Sequence, residues 1–369
     1  MGIMDRRIDM NKTTVSFPDY TIGKDALQKM VDIGTSYGKR ILLVGGKTAL
    51  MKAKLKIEHI IQSSPLEIVD TIWYGGECSR ENIERVVEKG KKEKVDLILG
   101  IGGGKAIDTA KAAADQLQIP VFTIPTIAST CAAITKLSVV YSSKGDFESF
   151  LFFDKPPAHC FMDSDIIATA PVQYLWAGMG DTIAKYYECT FASRGDQLDH
   201  RSWMGIEISK MCVQPILQYG EKALEDCSRG LNSFEVEQVI LNNIVSTGLV
   251  SMLVEEKYNG ALAHSLFYGL TLLEHIEKKH LHGEVVAYGV LVQLAMDNQE
   301  EELRRLYDFY KKVQLPTCLA DIEVENHRGY LESVLEETIK GPDMKYLPYK
   351  VTKDMVFEAI QKVESINEK

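Results

Sequence analysis

Asp96-Leu-Ile-Leu-Gly-Ile-Gly-Gly-Gly-Lys-Ala-Ile-Asp108 begins as an apolar run and turns into glycines. Residues 96–101 read as a buried strand, because the run is short, β-branched and stopped by glycine. Residues 105–117 follow as an alanine-rich helix. Gly102, Gly103 and Gly104 between them let backbone come close to a ligand. The helix start offers free N–H groups and a positive dipole end, which suits a phosphate. Lys105 adds a point charge. Asp108, one turn on, either braces the loop or meets the nicotinamide side of a dinucleotide. The spacing is neither G-x-G-x-x-G nor a P-loop, so a plain tight turn is the competing reading.

Outward from this stretch the same alternation repeats. Ile41-Leu-Leu-Val44 predicts a strand ending at Gly45-Gly46, with Lys47 and Thr48 opening a helix. Residues 66–74 predict a strand. Residues 81–94 predict a helix with Ile83, Val86 and Val87 on one stripe. Residues 120–124 predict another strand. Short apolar strands separated by helices imply a parallel sheet covered on both faces, with ligands at the strands' carboxyl ends. Residues 137–141 and 147–153 flank Ser142-Ser-Lys-Gly-Asp146 and predict an edge hairpin. After Met162 apolar positions recur at helical spacing, as in Val236, Val239, Ile240 and Ile244, with no second set of strands. The expected architecture is an α/β Rossmann-like nucleotide-binding domain over residues 1–162. An all-α metal- and substrate-binding domain then covers 163–369.

The chain has 369 residues and a formal net charge of -10. That length suits two domains, and the acidic balance disfavours nucleic acid and anionic membrane as partners. A small-molecule substrate and a homo-oligomer are the expected partners. Seven cysteines, at 78, 131, 160, 189, 212, 227 and 318, form no C-x-x-C pair. They read as reduced thiols of a cytoplasmic protein. No apolar run is expected to reach a membrane span of ~20 residues. Met1-Gly-Ile-Met-Asp-Arg-Arg7 lacks the apolar core of a signal peptide and the Ser or Thr of a myristoylation start.

Asp181, after Gly178-Met-Gly180, His264 in Ala261-Leu-Ala-His264, and His282 in His280-Leu-His282-Gly-Glu284 have residue types suited to a divalent metal. One carboxylate and two imidazoles fit Zn²⁺ or Fe²⁺ and leave an open position for substrate or water. There is no H-E-x-x-H, and a histidine on an apolar helix also reads as packed core. Spacing leaves both open.

These segments together resemble the iron-containing alcohol dehydrogenase superfamily, on its glycerol dehydrogenase branch, from about residue 12 to 369. The resemblance is carried by Gly102-Gly-Gly-Lys-Ala-Ile-Asp108, Pro125-Thr-Ile-Ala-Ser-Thr130, Leu137-Ser-Val-Val-Tyr141, Ala177-Gly-Met-Gly-Asp181, Ala263-His264 and Leu281-His282-Gly-Glu. It looks nearest to the bacterial hydroxycarboxylate dehydrogenases, which reduce 2-oxo acids. It implies a dehydroquinate synthase-like fold and a catalytic metal on Asp181, His264 and His282. It places dinucleotide contacts on Gly104, Lys105, Asp108, Thr126, Ser129, Thr135, Leu137 and Tyr141.

Departures from the family pattern shape the expected chemistry. Lys185 stands where iron-binding relatives carry a fourth ligand, which favours zinc over iron. Gly46-Lys47-Thr48 has no carboxylate for a ribose diol, which favours NADP over NAD. Cys131 replaces the pocket Asp of glycerol dehydrogenases, and Lys136 is near enough to pair with a substrate carboxylate. Phe267 replaces a second histidine, removing a proton relay. The expected activity is hydride transfer between NAD(P)H and a small 2-oxo acid, reversible to the 2-hydroxy acid. A glycerol, diol or aldehyde dehydrogenase of the same family is the first alternative. A dehydroquinate synthase-type lyase lacks its basic phosphate-binding residues here, and the Thr130-Cys131-Ala132 segment weakens a phosphoglycerol dehydrogenase. A non-catalytic nucleotide-binding protein is the alternative of another class.

Overall fold

The structure, a computed structural model, describes residues 14–367. The segment from Met1 to Arg7 therefore lies outside the described residues. The strands are β1 (Tyr20–Gly23), β2 (Arg40–Gly45), β3 (Glu67–Trp73), β4 (Leu97–Gly102), β5 (Val121–Pro125), β6 (Leu137–Tyr141), β7 (Phe147–Phe152) and β8 (His159–Asp163). Six of them form one parallel sheet in the order β1-β8-β5-β4-β2-β3, while β6 and β7 pair antiparallel as the expected hairpin. Helices α1 (Lys29–Gly34), α2 (Lys47–Ile61), α3 (Arg80–Glu93) and α4 (Gly104–Leu117) cover the sheet. Ile41, Leu43 and Leu99 pack with Ala53 and Ile57 of α2 on one face. Leu42, Val44 and Ile98 pack with Val86 of α3 and Ala113 of α4 on the other. Alternate side chains of a strand point to opposite faces, so a doubly covered strand is apolar at every position.

The strand order reverses between β2 and β4: β3 lies on one side of β2, and β5 lies beyond β4 on the other. A crevice opens at the carboxyl ends of strands at such a switch point. Both glycine turns, after β2 and after β4, lie there. The Gly46 amide donates to the Ile101 carbonyl at 3.3 Å, and the Thr126 amide to Gly102 at 3.1 Å, tying three neighbouring turns together.

After β8 the chain is helical: α5 (Ser164–Ala168), α6 (Val172–Ala192), α7 (His200–Ser209), α8 (Gln214–Ser228), α9 (Phe234–Leu241), a π-helical turn (Asn242–Ser246), α10 (Thr247–Leu253), α11 (Leu262–Leu270), α12 (Glu274–Lys279), α13 (His282–Met296), α14 (Glu300–Val313), α15 (Arg328–Lys340) and α16 (Lys353–Asn367). Every residue from Val285 to Met296 is buried, so α13 is a central helix wrapped by α6, α11, α14 and α16. Ile107, Ala128 and Ile134 from the sheet half pack in the same apolar cluster as Met179 and Ile183 of α6. One core thus runs through both halves.

Two strands escape the sequence reading. β1 has four residues at a sheet edge, too few to show a pattern. β8 is His-Cys-Phe-Met-Asp, fully buried yet without a β-branched residue. The membrane expectation also needs correction. Phe234–Leu253, one continuous 20-residue helical stretch, is long and apolar enough to cross a membrane, and 67% of its apolar window is buried within the protein. That burial is the environment of a core helix.

Candidate active site

Close packing of α6 on α13 brings Asp181 to His282. A Cβ on Gly180 would come within 2.2 Å of the Gly283 carbonyl oxygen, and one on Gly283 within 2.0 Å of the Ala177 oxygen. Only glycine permits that approach. α11 delivers His264 to the same point. Asp181 Oδ1 lies 3.5 Å from His264 Nε2 and 3.6 Å from His282 Nε2, at or beyond hydrogen-bond range. One donor atom from each residue lies within 4.8 Å of the others. The three converge on shared space rather than on one another, which is the geometry of a cation site.

Glu188, two turns after Asp181 on α6, is fully buried and organises His264. Its Oε1 accepts the Ala261 and His264 amides at 2.8 and 2.9 Å, capping α11, which has no side-chain cap of its own. Its Oε2 meets His264 Nδ1. This partner favours a ring proton on Nδ1, so that Nε2 is the nitrogen that would face a bound cation. Burial alone would push the His264 imidazole down. Glu188 and Asp181 outweigh it and raise the imidazole to about 10. Asp181 is held well below the usual carboxylate range, its burial outweighed by the two imidazoles. Phe267 packs edge-on against His282, with ring centroids 4.4 Å apart.

Cys131 reaches this centre from the sheet half. Burial pushes its thiol up to about 11, and the Asp181 charge adds to the rise. The thiol is therefore neutral near pH 7 and is no thiolate ligand. Asn243, in the π-helical turn, donates to the Ala128 carbonyl at 2.8 Å and the Leu175 carbonyl at 3.1 Å, and accepts from Thr182 at 3.1 Å. It clasps the 126–131 loop to α6. Short π-helical turns occur often at functional sites.

A family model described as iron-containing alcohol dehydrogenase matches residues 18–163. Hydroxycarboxylate dehydrogenase A of Escherichia coli is 34% identical over 329 residues, covering 88% of this chain and 90% of its own. The chain belongs to the iron-containing alcohol dehydrogenase family. Glycerol dehydrogenase of Thermotoga maritima is 33% identical over 95% of this chain and 96% of its own. The crystal structure of glycerol dehydrogenase from Schizosaccharomyces pombe superposes with a TM-score of 0.86 at 26% identity, over 97% of this chain and 91% of that one. The protein is accordingly a glycerol dehydrogenase-like oxidoreductase acting on alcohol groups. Dehydrogenases of this family use a nicotinamide dinucleotide and a divalent metal.

Within the family fold, the expected cofactor residues lie around the switch-point crevice. Gly102 has φ +146°, a backbone conformation that glycine tolerates, and Gly104 begins α4. Lys105 pairs with Glu77 at 2.6 Å, and its ammonium lies 5.0 Å from the Tyr141 ring centroid. Thr126 and Thr135 are buried, whereas Ser129, Leu137 and Tyr141 are partly exposed. Of the two roles expected of Asp108, its contacts fit bracing rather than a cofactor contact. It is buried, pairs with the Lys111 ammonium at 2.8 Å and accepts the Val139 amide at 3.1 Å. Its carboxylate braces the hairpin from inside and is not open to a nicotinamide.

Several residues were missed. Lys111, 2% exposed in its side chain, donates to the carbonyls of Ala132, Thr135 and Leu137 and so shapes the segment after Cys131. Glu188 was legible as a residue on the Asp181 face of α6, seven positions on. Trp73, at the end of β3, carries Lys47 4.5 Å and Arg85 5.9 Å from its ring centroid. That grouping joins three distant segments, and no local pattern announces it. Lys136 is partly exposed at the foot of the hairpin, where its backbone oxygen accepts the Phe153 amide at 2.9 Å.

Proposed function

We propose that this protein reduces a small 2-oxo acid to its 2-hydroxy acid with NADPH, and runs the reverse with NADP, at a zinc centre on Asp181, His264 and His282. The observation that carries the substrate assignment is Cys131. Its neutral thiol, under the influence of the Asp181 charge, gives the pocket no carboxylate to repel an anionic substrate. The likeness to hydroxycarboxylate dehydrogenase A supports it. A three-ligand set supports zinc, because Lys185 on the next turn of α6 is a cation and does not ligate. Lys47 and Arg85 beside Trp73 support NADP: among the described residues neither pairs with a carboxylate, and both are exposed cations suited to a 2′-phosphate. Seven free cysteines support a reducing, cytoplasmic setting.

When bound, a divalent ion supplies Lewis-acid polarisation of the substrate oxygen, and a nicotinamide dinucleotide supplies or accepts the hydride. The chain's own residues prepare the site. Glu188 keeps His264 in the ligating tautomer. The amides of Gly104 and Lys105 at the start of α4 offer unpaired donors for a pyrophosphate. Phe267 packs edge-on against His282 and buttresses that ring from one side. No imidazole follows His264 on that helix face, so the proton that completes reduction comes from water or a ribose hydroxyl.

The test is turnover by metal-stripped and zinc-reloaded protein with NADPH and NADH against 2-oxo acids, aldehydes, glycerol and diols. Fastest turnover of a 2-oxo acid with NADPH is expected. Faster oxidation of glycerol with NAD than any 2-oxo acid reduction would overturn this reading. It would favour glycerol or diol oxidation instead, which the likeness to the Thermotoga glycerol dehydrogenase supports.

A further inference from the structure

Lys185 is a buried cation without an anionic partner. Its side chain is one helical turn beyond Asp181 on α6, on the same face. The residue is only 8% exposed. Its ammonium donates to the Asn259 carbonyl at 2.8 Å and to Asn259 Oδ1 at 3.2 Å, both neutral acceptors. An ammonium has three N–H donors, so one is left over. Among the described residues no carboxylate oxygen pairs with it within 4 Å. The acids whose charge it does influence do not pair with it. Glu188 is committed to the α11 amides and His264. The Asp343 carboxyl is pushed up by burial toward its neutral form. Burying an ammonium among neutral acceptors is unfavourable unless an anion completes its shell.

The surroundings say where that anion belongs. The Cys131 thiol is acted on by the charges of both Asp181 and Lys185, so the pocket wall, the metal ligand and the ammonium share one neighbourhood. In a 2-oxo acid the carboxylate is bonded directly to the carbonyl carbon. A substrate oxygen brought to Asp181 therefore carries its carboxylate within about one helical turn, the Asp181-to-Lys185 spacing.

We propose that Lys185, held by Asn259, is the specificity residue that pairs with the substrate carboxylate, in place of Lys136. The assignment deepens the 2-oxo acid reading and rests on it. Lys185 selects among substrates and takes no part in hydride transfer.

The experiment compares wild type with Lys185→Met, in zinc-loaded protein, on pyruvate and on hydroxyacetone, which replaces the carboxylate by an uncharged group. The ratio of kcat/KM for pyruvate to that for hydroxyacetone is expected to fall about 10- to 100-fold, the range of one charged hydrogen bond. Metal content is measured in both proteins and is expected to be equal. An unchanged ratio, or loss of metal, overturns the proposal. Should Lys185→Met fail to fold, Lys185→Gln keeps a donor for Asn259 while removing the charge. A separate arm measures propionate as a competitive inhibitor of the neutral substrate. Inhibition of wild type but not of the variant supports Lys185 as a carboxylate site even if 2-oxo acids are not turned over, so that failure falls on the proposed function alone. No inhibition of wild type overturns the Lys185 assignment.

Discussion

Glu188 shows how a single buried carboxylate organises a centre it does not itself complete. It satisfies two amides at the start of α11 and sets the His264 tautomer, so removing its charge disturbs the ligand without removing it. Glu188→Gln is expected to weaken divalent-metal binding about 10- to 100-fold, read by competition with a chelator, while the fold persists. An unchanged affinity would mean that His264 is oriented by packing alone. The three donors themselves were legible only through the ordered motifs around them. Asp181, His264 and His282 are separated by 83 and 18 residues on different helices, so no local periodicity links them. Glu188 was locally legible by helical phase, yet a glutamate on a helix face ordinarily reads as solvated. Its burial is set by α11, which sequence spacing does not place.

At the level of elements, the Asp108–Lys111 pair on α4 supports the hairpin and the segment after Cys131. Lys111→Met leaves a buried carboxylate without its cation and is expected to cost about 3–5 kcal/mol of stability, measured by denaturant titration. The Asp108→Leu/Lys111→Met double variant should recover much of that loss; equal losses in both would place the cost in packing. Helix α13 offers a second case. Gly283→Ala forces α6 and α13 apart beside Asp181 and His282 and is expected to cost about 1–3 kcal/mol. Metal analysis checks the accompanying loss of the ion, and full retention would show that the helices accommodate the methyl. The central strands were readable because burial on both faces makes them apolar throughout. β8 is buried equally, but its His159 and Asp163 are satisfied by Thr21 and Lys56, partners from segments far earlier in the chain. Polar residues with distant partners remove the apolar signal on which strand reading depends.

For the whole molecule, acid stability is expected to depend on Asp297 at the end of α13. Its carboxylate accepts from both Arg194 guanidinium nitrogens at 2.8 and 2.7 Å and from Tyr349 at 3.0 Å, joining the end of α6 to the chain before α16. Burial opposes the charge, but Arg194, Gln299 and Tyr349 outweigh it and hold the carboxyl below its ordinary value near 3.8. A depressed folded value means this contribution is complete above the unfolded value and is lost as pH falls through the lower folded one. Asp297→Asn should therefore lower stability at neutral pH and flatten its decline below about pH 4. Parallel pH profiles for variant and wild type, read by thermal unfolding, would contradict this.

The clasp made by Asn243 has a consequence for motion. Asn243 holds the Ala128 carbonyl of the sheet half and the Leu175 carbonyl of its own helical half with one side-chain amide. The 126–131 loop is therefore expected to stay ordered only while this clasp is intact. Asn243→Leu should raise amide exchange in residues 126–131 selectively; uniform exchange across the chain would deny the clasp that role. One amide side chain thus tethers the loop that leads to Cys131 to the helix that carries Asp181.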